Sequence, residues 1–261
     1  MTIERDARLR EVESWGGYFR FAIDAPSLGG GAKPGQFVMV KVSDGDSPLL
    51  RRPLGIHDAG PGGIELFFAV AGRGTEILAG KKPGDRLDII GPLGRGFTVE
   101  AAPKGARALL VGGGRGIAPL AFLARTLAAA GAKPVILYGG RTAADIPLRG
   151  RLDKAGFEVL CSTDDGSFGF AGFVTALADR EIGKDKPAFV YACGPDPMMK
   201  AMAAVTARHG VPAEFSLESI MGCGVGACWG CVHRIRTEAG DGWVKICEEG
   251  PVFPGERVIW P

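Results

Sequence analysis

The stretch Met221-Gly222-Cys223-Gly224-Val225-Gly226-Ala227-Cys228-Trp229-Gly230-Cys231 carries three cysteines, and a fourth follows at Cys247. The four lie within 25 residues at the spacing C-x4-C-x2-C…C, with 15 residues before the last. Plant-type [2Fe–2S] clusters are bound by thiolates at this spacing. The glycines let the loop curl around inorganic sulfide and leave N–H groups free to face sulfur. The stretch therefore predicts a two-iron cluster held by Cys223, Cys228, Cys231 and Cys247.

Two other uses of these cysteines fit the sequence less well. Zinc sites favour paired C-x2-C units, and here one such unit is present, at Cys228 and Cys231. A disulfide framework needs an oxidising compartment. Residues 1–10 are polar and charged rather than a secretory signal, and no run of 18 apolar residues occurs. We therefore expect a cytoplasmic protein with reduced thiols and no membrane span.

Length and charge limit the remaining possibilities. The chain has 261 residues, 46% of them hydrophobic, which is enough for two domains and a small module. Its 31 basic and 29 acidic residues give a net charge of +2, and no stripe of Lys and Arg is visible. This balance argues against a nucleic-acid surface.

Upstream of the cysteines, the pattern predicts a nucleotide-binding sheet. Residues 106–111 form an apolar strand, residues 112–119 a glycine-rich turn, and residues 120–130 a helix. This order is half of a dinucleotide-binding unit, in which the pyrophosphate lies over the helix N-terminus. The turn only approximates the usual G-x-G-x-x-G fingerprint. Gly112, Gly113 and Gly114 are the predicted cofactor-binding residues here.

Further strands alternate with helices, which predicts a parallel sheet. The strands are expected at 134–138, 158–161 and 188–192, and the helices near 146–154, at 174–178 and at 198–209. The last strand runs into Cys193, Gly194 and Pro195. Ligands bind at the carboxyl ends of such strands, so this turn and the Gly112 turn should face one crevice. Cys193 then lies either beside the nicotinamide or in the core, and Cys161 is a core thiol.

The choice of nucleotide depends on charges after the second and third strands. Arg141 follows the second and would suit the 2′-phosphate of NADP. Asp164 and Asp165 follow the third and would repel that phosphate. The pattern favours NADH.

The first hundred residues predict a small antiparallel barrel. Strands are expected at 18–23, 36–42, 64–70 and 86–90, separated by Gly, Pro and Asp, with a short helix at 75–79. Arg52, held by Pro53 after a strand end, can fork onto a pyrophosphate, and Gly74-Thr75 opens a helix that offers N–H groups to the same anion. An ordinary strand-end arginine and helix cap would look the same.

Together these segments resemble the ferredoxin–NADP reductase superfamily over residues 1 to about 212. The motifs that carry the resemblance are Arg52-Pro53-Leu54-Gly55, Gly74-Thr75, Gly91-Pro92-Leu93-Gly94, Gly112-Gly113-Gly114 and Cys193-Gly194-Pro195-Asp196-Pro197-Met198. The stretch from Leu217 to Cys231 is similar to one branch, the electron-transfer subunits of NAD-dependent dihydroorotate dehydrogenase. The resemblance implies an FAD-binding β-barrel domain (1–100), an NAD-binding α/β domain with a parallel sheet (101–212) and a [2Fe–2S] module (213–261).

The resemblance also implies site residues and a partner. FAD contacts fall on Arg52, Pro53, Leu54, Gly55, Phe67, Phe68, Ala69, Gly74 and Thr75. The implied partner is an FMN-containing catalytic subunit, two of each in a heterotetramer that oxidises dihydroorotate to orotate in pyrimidine biosynthesis. Two positions depart from the family: Gly55 stands where Ser is frequent, and Ala69 where a longer polar side chain is usual.

The combination of sites predicts an electron converter. Nicotinamide exchanges two electrons, a cluster exchanges one, and a flavin can do both. Such a chain needs no catalytic acid–base pair, and His57, His209 and His233 form no visible pair or triad. Two alternatives are a subunit of an NADH-dependent ferredoxin:NADP or sulfide-type oxidoreductase, and an electron carrier that uses the cluster alone. Trp229 either packs inside its module or marks a docking surface.

Overall fold

The first part of the chain is a closed barrel. The computed structural model describes residues 1–45, 47–238 and 240–260. Within them, six antiparallel strands close the barrel in the order β1-β2-β5-β4-β3-β6. The elements of this region are β1 (Thr2–Trp15), β2 (Tyr18–Asp24), α1 (Pro26–Gly29), β3 (Phe37–Lys41), β4 (Arg52–Gly60), β5 (Gly63–Ala69), α2 (Arg73–Ala79) and β6 (Arg86–Leu93).

The four predicted barrel strands and the short helix are confirmed, and two strands are additional. Strand β1 pairs with both β2 and β6, but its register shifts twice, so the alternation of polar and apolar residues is broken. Only Ala7 and Leu9 of its residues are fully buried. Strand β4 begins at Arg52, so the placement of this arginine after a strand end was wrong.

The second part is a seven-stranded sheet among the described residues, in the order β10-β9-β8-β7-β11-β12-β15. All neighbouring strands are parallel except β12 and β15. Its elements before the tail are β7 (Arg107–Gly113), α3 (Ile117–Ala129), β8 (Lys133–Gly140), α4 (Arg149–Lys154), β9 (Glu158–Thr163), β10 (Phe170–Ala171), α5 (Val174–Lys184), β11 (Phe189–Cys193) and α6 (Asp196–His209). The predicted strands and helices are confirmed, although α5 is longer than the predicted 174–178.

Helices cover both faces of this sheet. Along β7, Ala108 and Leu110 face the side that α3 covers, while Leu109 and Val111 face the side of α5 and α6. Strands buried on both faces become continuous apolar runs, which is why these were visible in the sequence. Strand β7 is the central strand of the sheet and lies between β8 and β11.

The C-terminal tail is joined to the sheet rather than separate from it. Strand β12 (Ala213–Ser216) pairs with β11, and β15 (Val252–Pro254) pairs with β12. Between them lie the cysteine loop (residues 218–231), a hairpin of β13 (Val232–Thr237) and β14 (Gly240–Lys245), and α7 (Ile246–Glu249). The predicted domain boundaries, at 100/101 and 212/213, remain a prediction.

None of the helices in the described part of the chain could cross a membrane.

Candidate functional site

A cavity of about 260 Å³ lies where the three parts of the chain meet. The barrel contributes Arg52–Gly55 and Phe67–Ala69, the sheet contributes Cys193 and Pro119, and the tail contributes residues 216–219 with Met221. All but one of the predicted FAD residues line it. The lining residues among them are Arg52, Pro53, Leu54, Gly55, Phe67, Phe68, Ala69 and Thr75.

The remaining one, Gly74, does not line this cavity and lies directly against the Arg52 guanidinium. Thr75 is occupied as a helix cap: its hydroxyl accepts the N–H of Ala71 at 2.8 Å and donates to the carbonyl of Gly72 at 2.9 Å. A cation and a helix N-terminus therefore converge at one end of the cavity. Both groups favour an anion there, such as a pyrophosphate.

The two departures from the family are visible in this cavity. Gly55 brings no hydroxyl, and a Cβ there would lie 3.7 Å from Cδ of Pro119, in ordinary contact. Ala69, the last residue of β5, brings no polar group. The tail supplies polar groups instead, from Ser216, Glu218 and Ser219.

A larger cleft, of about 770 Å³, opens along the carboxyl ends of the parallel strands. Three of the residues predicted to bind the nucleotide, Gly113, Gly114 and Pro195, line it. Gly112 and Cys193 are paired in register on neighbouring strands, so the two turns do face one crevice. Gly194 lies against Met198, which lines the cleft. The turns approach so closely that a Cβ on Gly116 would collide with the carbonyl of Cys193.

Cys193 is buried, as one of the two positions left open by the sequence requires, and its place beside the nicotinamide stays a prediction. Its side chain is buried, and it lines the smaller cavity rather than the larger cleft. Burial raises the pKa of its thiol to about 12, and the charge of Glu218 adds to this while a hydrogen bond with Ser216 opposes it. The thiol is therefore protonated and uncharged at neutral pH. Cys161 is a core thiol, as expected.

Polar and aromatic side chains surround the far end of the larger cleft. Arg141 and Asp164 both line it, as does Phe173, which is 68% exposed. Arg141 forms an ion pair with Asp145 at 3.7 Å. The barrel reaches the same place through Tyr18, whose hydroxyl donates to Asp145 at 3.0 Å. Burial and this carboxylate raise the pKa of Tyr18 to about 12.

The four cysteines of the tail lie in two pairs. The thiols of Cys223 and Cys228 interact with each other, and so do those of Cys231 and Cys247. Backbone N–H groups already face sulfur: Gly226 donates to Cys247 Sγ at 3.1 Å, and Val225 donates to Cys223 Sγ at 3.4 Å. Such hydrogen bonds to sulfur are what tune a bound cluster.

The pairing of these four thiols matches a two-iron cluster. A structural zinc needs four ligands around one ion, whereas a [2Fe–2S] cluster takes two thiolates on each of two irons. Burial opposes ionisation of the Cys223 thiol, but N–H groups of Val225, Cys228 and Ala227 prevail and lower its pKa to about 6. The donor set fits the cluster.

The cysteine loop packs directly on the barrel. Gly224 has a φ of +74°, and a Cβ on it would lie 2.5 Å from Cγ of Met39 in β3. Other residues of the loop are exposed, including Ile220 at 88% and Trp229 at 60%. Trp229 has a φ of +55°, which is rare for a bulky residue, and Lys245 Nζ lies 5.0 Å from its ring centre.

Sequence reasoning did not assign Tyr18, Arg115, Phe173 or Glu218 to the site. Arg115 stands inside the glycine turn, which was a usable signal, since a cation in such a turn can reach a bound pyrophosphate. Tyr18 and Glu218 belong to other parts of the chain and reach the cavities only through the fold. No local pattern marks Phe173.

A closed six-stranded barrel beside a mostly parallel dinucleotide-binding sheet defines a reductase of the ferredoxin–NADP reductase superfamily. A family model described as the iron-sulfur cluster binding domain of dihydroorotate dehydrogenase B matches residues 218–259, and an oxidoreductase NAD-binding domain model matches residues 110–204. The chain belongs to the family of dihydroorotate dehydrogenase B (NAD(+)) electron transfer subunits.

Curated relatives of that description match most of the chain. The one from Desulforamulus reducens is 44% identical over 91% of this chain and 90% of that protein. The one from Bacillus caldolyticus is 45% identical over 87% of each. The predicted cofactors, FAD, a [2Fe–2S] cluster and NAD(H) as substrate, are confirmed by these matches together with the structural neighbours.

Solved structures share the fold. The structure of an NADH-dependent reduced ferredoxin-NADP oxidoreductase matches with a TM-score of 0.84 and 29% identity, and the match covers 98% of this chain and 91% of that chain. The ferredoxin reductase of carbazole 1,9a-dioxygenase has a TM-score of 0.68 and 23% identity, covering 82% and 69%. The second likeness concerns the fold alone.

Proposed function

We propose that the chain is the electron-transfer subunit of an NAD-dependent dihydroorotate dehydrogenase. A partner catalytic subunit with FMN would oxidise dihydroorotate to orotate in pyrimidine biosynthesis, in the cytoplasm, with two copies of each subunit in a heterotetramer. Oxidation of dihydroorotate by NAD⁺ yields orotate, NADH and a proton. This chain carries the two electrons between the partner and NAD⁺.

One observation carries the proposal: the smaller cavity is lined by the barrel, the sheet and the tail together. It adjoins the nucleotide cleft at Arg115 on one side and the cysteine loop at Met221 on the other. When bound, the cluster exchanges single electrons and the flavin exchanges either single electrons or a hydride. A cavity between a hydride site and a single-electron site is therefore where the conversion belongs.

The residues proposed to hold each group follow from this geometry. Arg52 and the start of α2 would bind the FAD pyrophosphate. The apolar lining of the cavity would come from Phe67, Phe68, Pro53 and Leu54. The turns at Gly113 and Pro195 would take the nicotinamide dinucleotide. Cys223, Cys228, Cys231 and Cys247 would hold the cluster.

The exposed side of the cysteine loop is the proposed contact with the catalytic subunit. Ile220, Val225 and Trp229 are all exposed there, beside the proposed cluster ligands. Exposed aromatic and aliphatic groups at a redox site are typical of docking surfaces. The left-handed backbone of Trp229 holds its ring outward at a cost in conformational energy, which favours a function over packing.

Co-expression tests the partner. The chain and an FMN-containing dihydroorotate-oxidising subunit should copurify and reduce NAD⁺ with dihydroorotate. Trp229→Ala should weaken the complex while the free chain keeps its iron and flavin. Trp243→Ala is the matched control, because Trp243 is also exposed, at 62%, but lies on β14 outside the cysteine loop. Failure of the two subunits to associate would exclude the proposed partner.

A further inference from the structure

The larger cleft and the smaller cavity meet at three residues. Ala69, Arg115 and Glu218 line both of them. Ala69 ends at its Cβ, so the side chains that can move at this boundary are Arg115 and Glu218. They are paired across it, with 3.6 Å between Arg115 Nη2 and Glu218 Oε2. The pair joins the glycine turn after β7 to the first residue of the cysteine loop.

This ion pair is weak enough to open when a ligand binds. Its side chains are 45% and 49% exposed, and the distance is long for a charge-assisted hydrogen bond. An exposed pair of this kind changes an equilibrium constant by about fivefold or less. A ligand that offers each partner a better contact therefore separates them at little cost.

We propose that Arg115 and Glu218 are the residues that admit the nicotinamide to the flavin cavity and hold it there. This inference rests on the proposed function. Arg115 lies one turn before the body of α3, where a pyrophosphate would bind, and its guanidinium can pair with that anion. Glu218, released from Arg115, is left with a carboxylate that accepts hydrogen bonds from the carboxamide N–H₂ of nicotinamide.

When Arg115 exchanges Glu218 for the dinucleotide phosphates, the nicotinamide gains access to the flavin cavity. While the two side chains are paired, they stand between the cleft and the cavity. Once the dinucleotide phosphates take Arg115, the passage beside Ala69 is free and Glu218 faces it. Both are binding residues, because they contact the pyrophosphate and the carboxamide and touch no atom that exchanges hydride.

Binding of two probes separates the two roles. NAD⁺ contains the pyrophosphate and the carboxamide, whereas ADP-ribose contains only the pyrophosphate. Affinities of the FAD-containing full chain for each probe are measured by titration calorimetry. Arg115→Ala should weaken both by about tenfold, since a charge-assisted contact to phosphate is lost.

Glu218→Ala should separate the two probes. ADP-ribose should bind up to about fivefold more tightly, because Arg115 no longer has to leave an ion pair. NAD⁺ gains the same from the freed Arg115 but its carboxamide loses an acceptor, so the affinity for NAD⁺ should fall relative to that for ADP-ribose. A residue with only a structural role would weaken both probes or neither.

Two further variants separate loss of binding from loss of folding. The charge-swapped double variant Arg115→Glu/Glu218→Arg can re-form the ion pair, yet it should bind both probes poorly because a carboxylate now faces the phosphates. Arg10→Ala breaks another exposed pair, Arg10 with Asp24 at 3.1 Å, and should leave both affinities unchanged.

The outcomes are distinct. If Glu218→Ala changes the affinities for ADP-ribose and NAD⁺ equally, or if Arg115→Ala changes neither, the inference is overturned while the proposed function stands. If the unaltered chain binds neither probe, the proposed nucleotide site itself is lost.

Stopped-flow reduction by NADH gives a second measurement. Arg115→Ala should raise the NADH concentration that gives half of the maximal rate, and Glu218→Ala should lower the maximal rate of flavin bleaching.

Discussion

The parallel sheet and the cysteine loop are stabilised by different means. In the sheet, the central strands β7 and β8 are almost wholly buried, and helices cover both faces. In the loop, residues 218–231 form no helix or strand, and Cys228 is exposed. The sheet can fold on its own apolar core, whereas the loop needs the bonds between its thiolates and a metal centre. Removing a thiolate from the loop and removing apolar volume from the sheet should therefore have different effects.

The largest effect is expected from removing one thiolate of the loop. Cys228→Ala should lose all bound iron and acid-labile sulfide, because the second ligand of the Cys223 pair is gone. The sheet should be unaffected, so FAD content and bleaching by NADH should persist. Cys161→Ala is the matched control, a buried cysteine in β9 whose loss should leave the iron content unchanged. Full iron in Cys228→Ala would refute the ligand assignment.

Next in size is a cavity in the sheet. Leu137→Ala, in β8, should reduce the free energy of unfolding by about 2–5 kcal/mol in urea denaturation, because Leu137 is fully buried. Val225→Ala in the loop should change it by about 0.5 kcal/mol or less. Equal losses for the two variants would mean that the loop is packed as a core and does not depend on the metal.

A buried histidine at the joint between barrel and sheet should give a pH effect. His57 Nδ1 lies 3.2 Å from the carbonyl oxygen of Ala118 in α3, and burial lowers the pKa of His57 to about 4. The unfolded chain takes up a proton near pH 6.5 and the folded chain does not, so stability falls as pH falls from about 6.5 toward 4. The loss amounts to about 3 kcal/mol.

Urea denaturation at pH 7 and pH 4.5 measures most of this loss, because the remainder falls below pH 4.5. His57→Gln should lose less stability between these pH values than the unaltered chain, since that proton uptake is removed. His209→Gln is the control, because His209 is only partly buried and pairs with Asp179 on the far side of the sheet. If His57→Gln lost as much unfolding free energy between pH 7 and pH 4.5 as the unaltered chain, His57 would not be held neutral.

The smallest effect concerns nucleotide choice. Asp164→Asn should raise kcat/KM for NADPH relative to NADH by less than about tenfold, since one exposed repulsive charge at the cleft is removed. Asp165→Asn removes the same charge at the neighbouring residue, which bonds to Ser167 in its own turn. It should change the ratio less. A larger effect from Asp165 would place the ribose elsewhere.

The same contrast explains what the sequence could predict. The sheet was visible because strands buried on both faces, such as Arg107–Gly113, are continuous apolar runs followed by a glycine turn. The cysteine ligands were visible because the chemistry fixes their spacing. β1 was missed since bulges break its alternation and half of its side chains are exposed.

The parts of the site that were missed depend on distant contacts. Glu218 reaches Arg115 only because β12 runs beside β11 and delivers the tail to the glycine turn. Tyr18 meets Asp145 across 127 residues of chain. Neither pairing leaves a local pattern, because it is the arrangement of strands, and not the neighbouring residues, that creates it.

One anaerobic titration tests the central claim that a single-electron centre and a hydride site share the flavin cavity. Excess NADH is added to the purified full chain while visible absorbance reports the flavin and electron paramagnetic resonance reports the cluster. We predict that the flavin bleaches and that a reduced [2Fe–2S] signal follows, and that Cys228→Ala bleaches without this signal. Bleaching in an iron-loaded chain whose cluster stays oxidised would contradict the account.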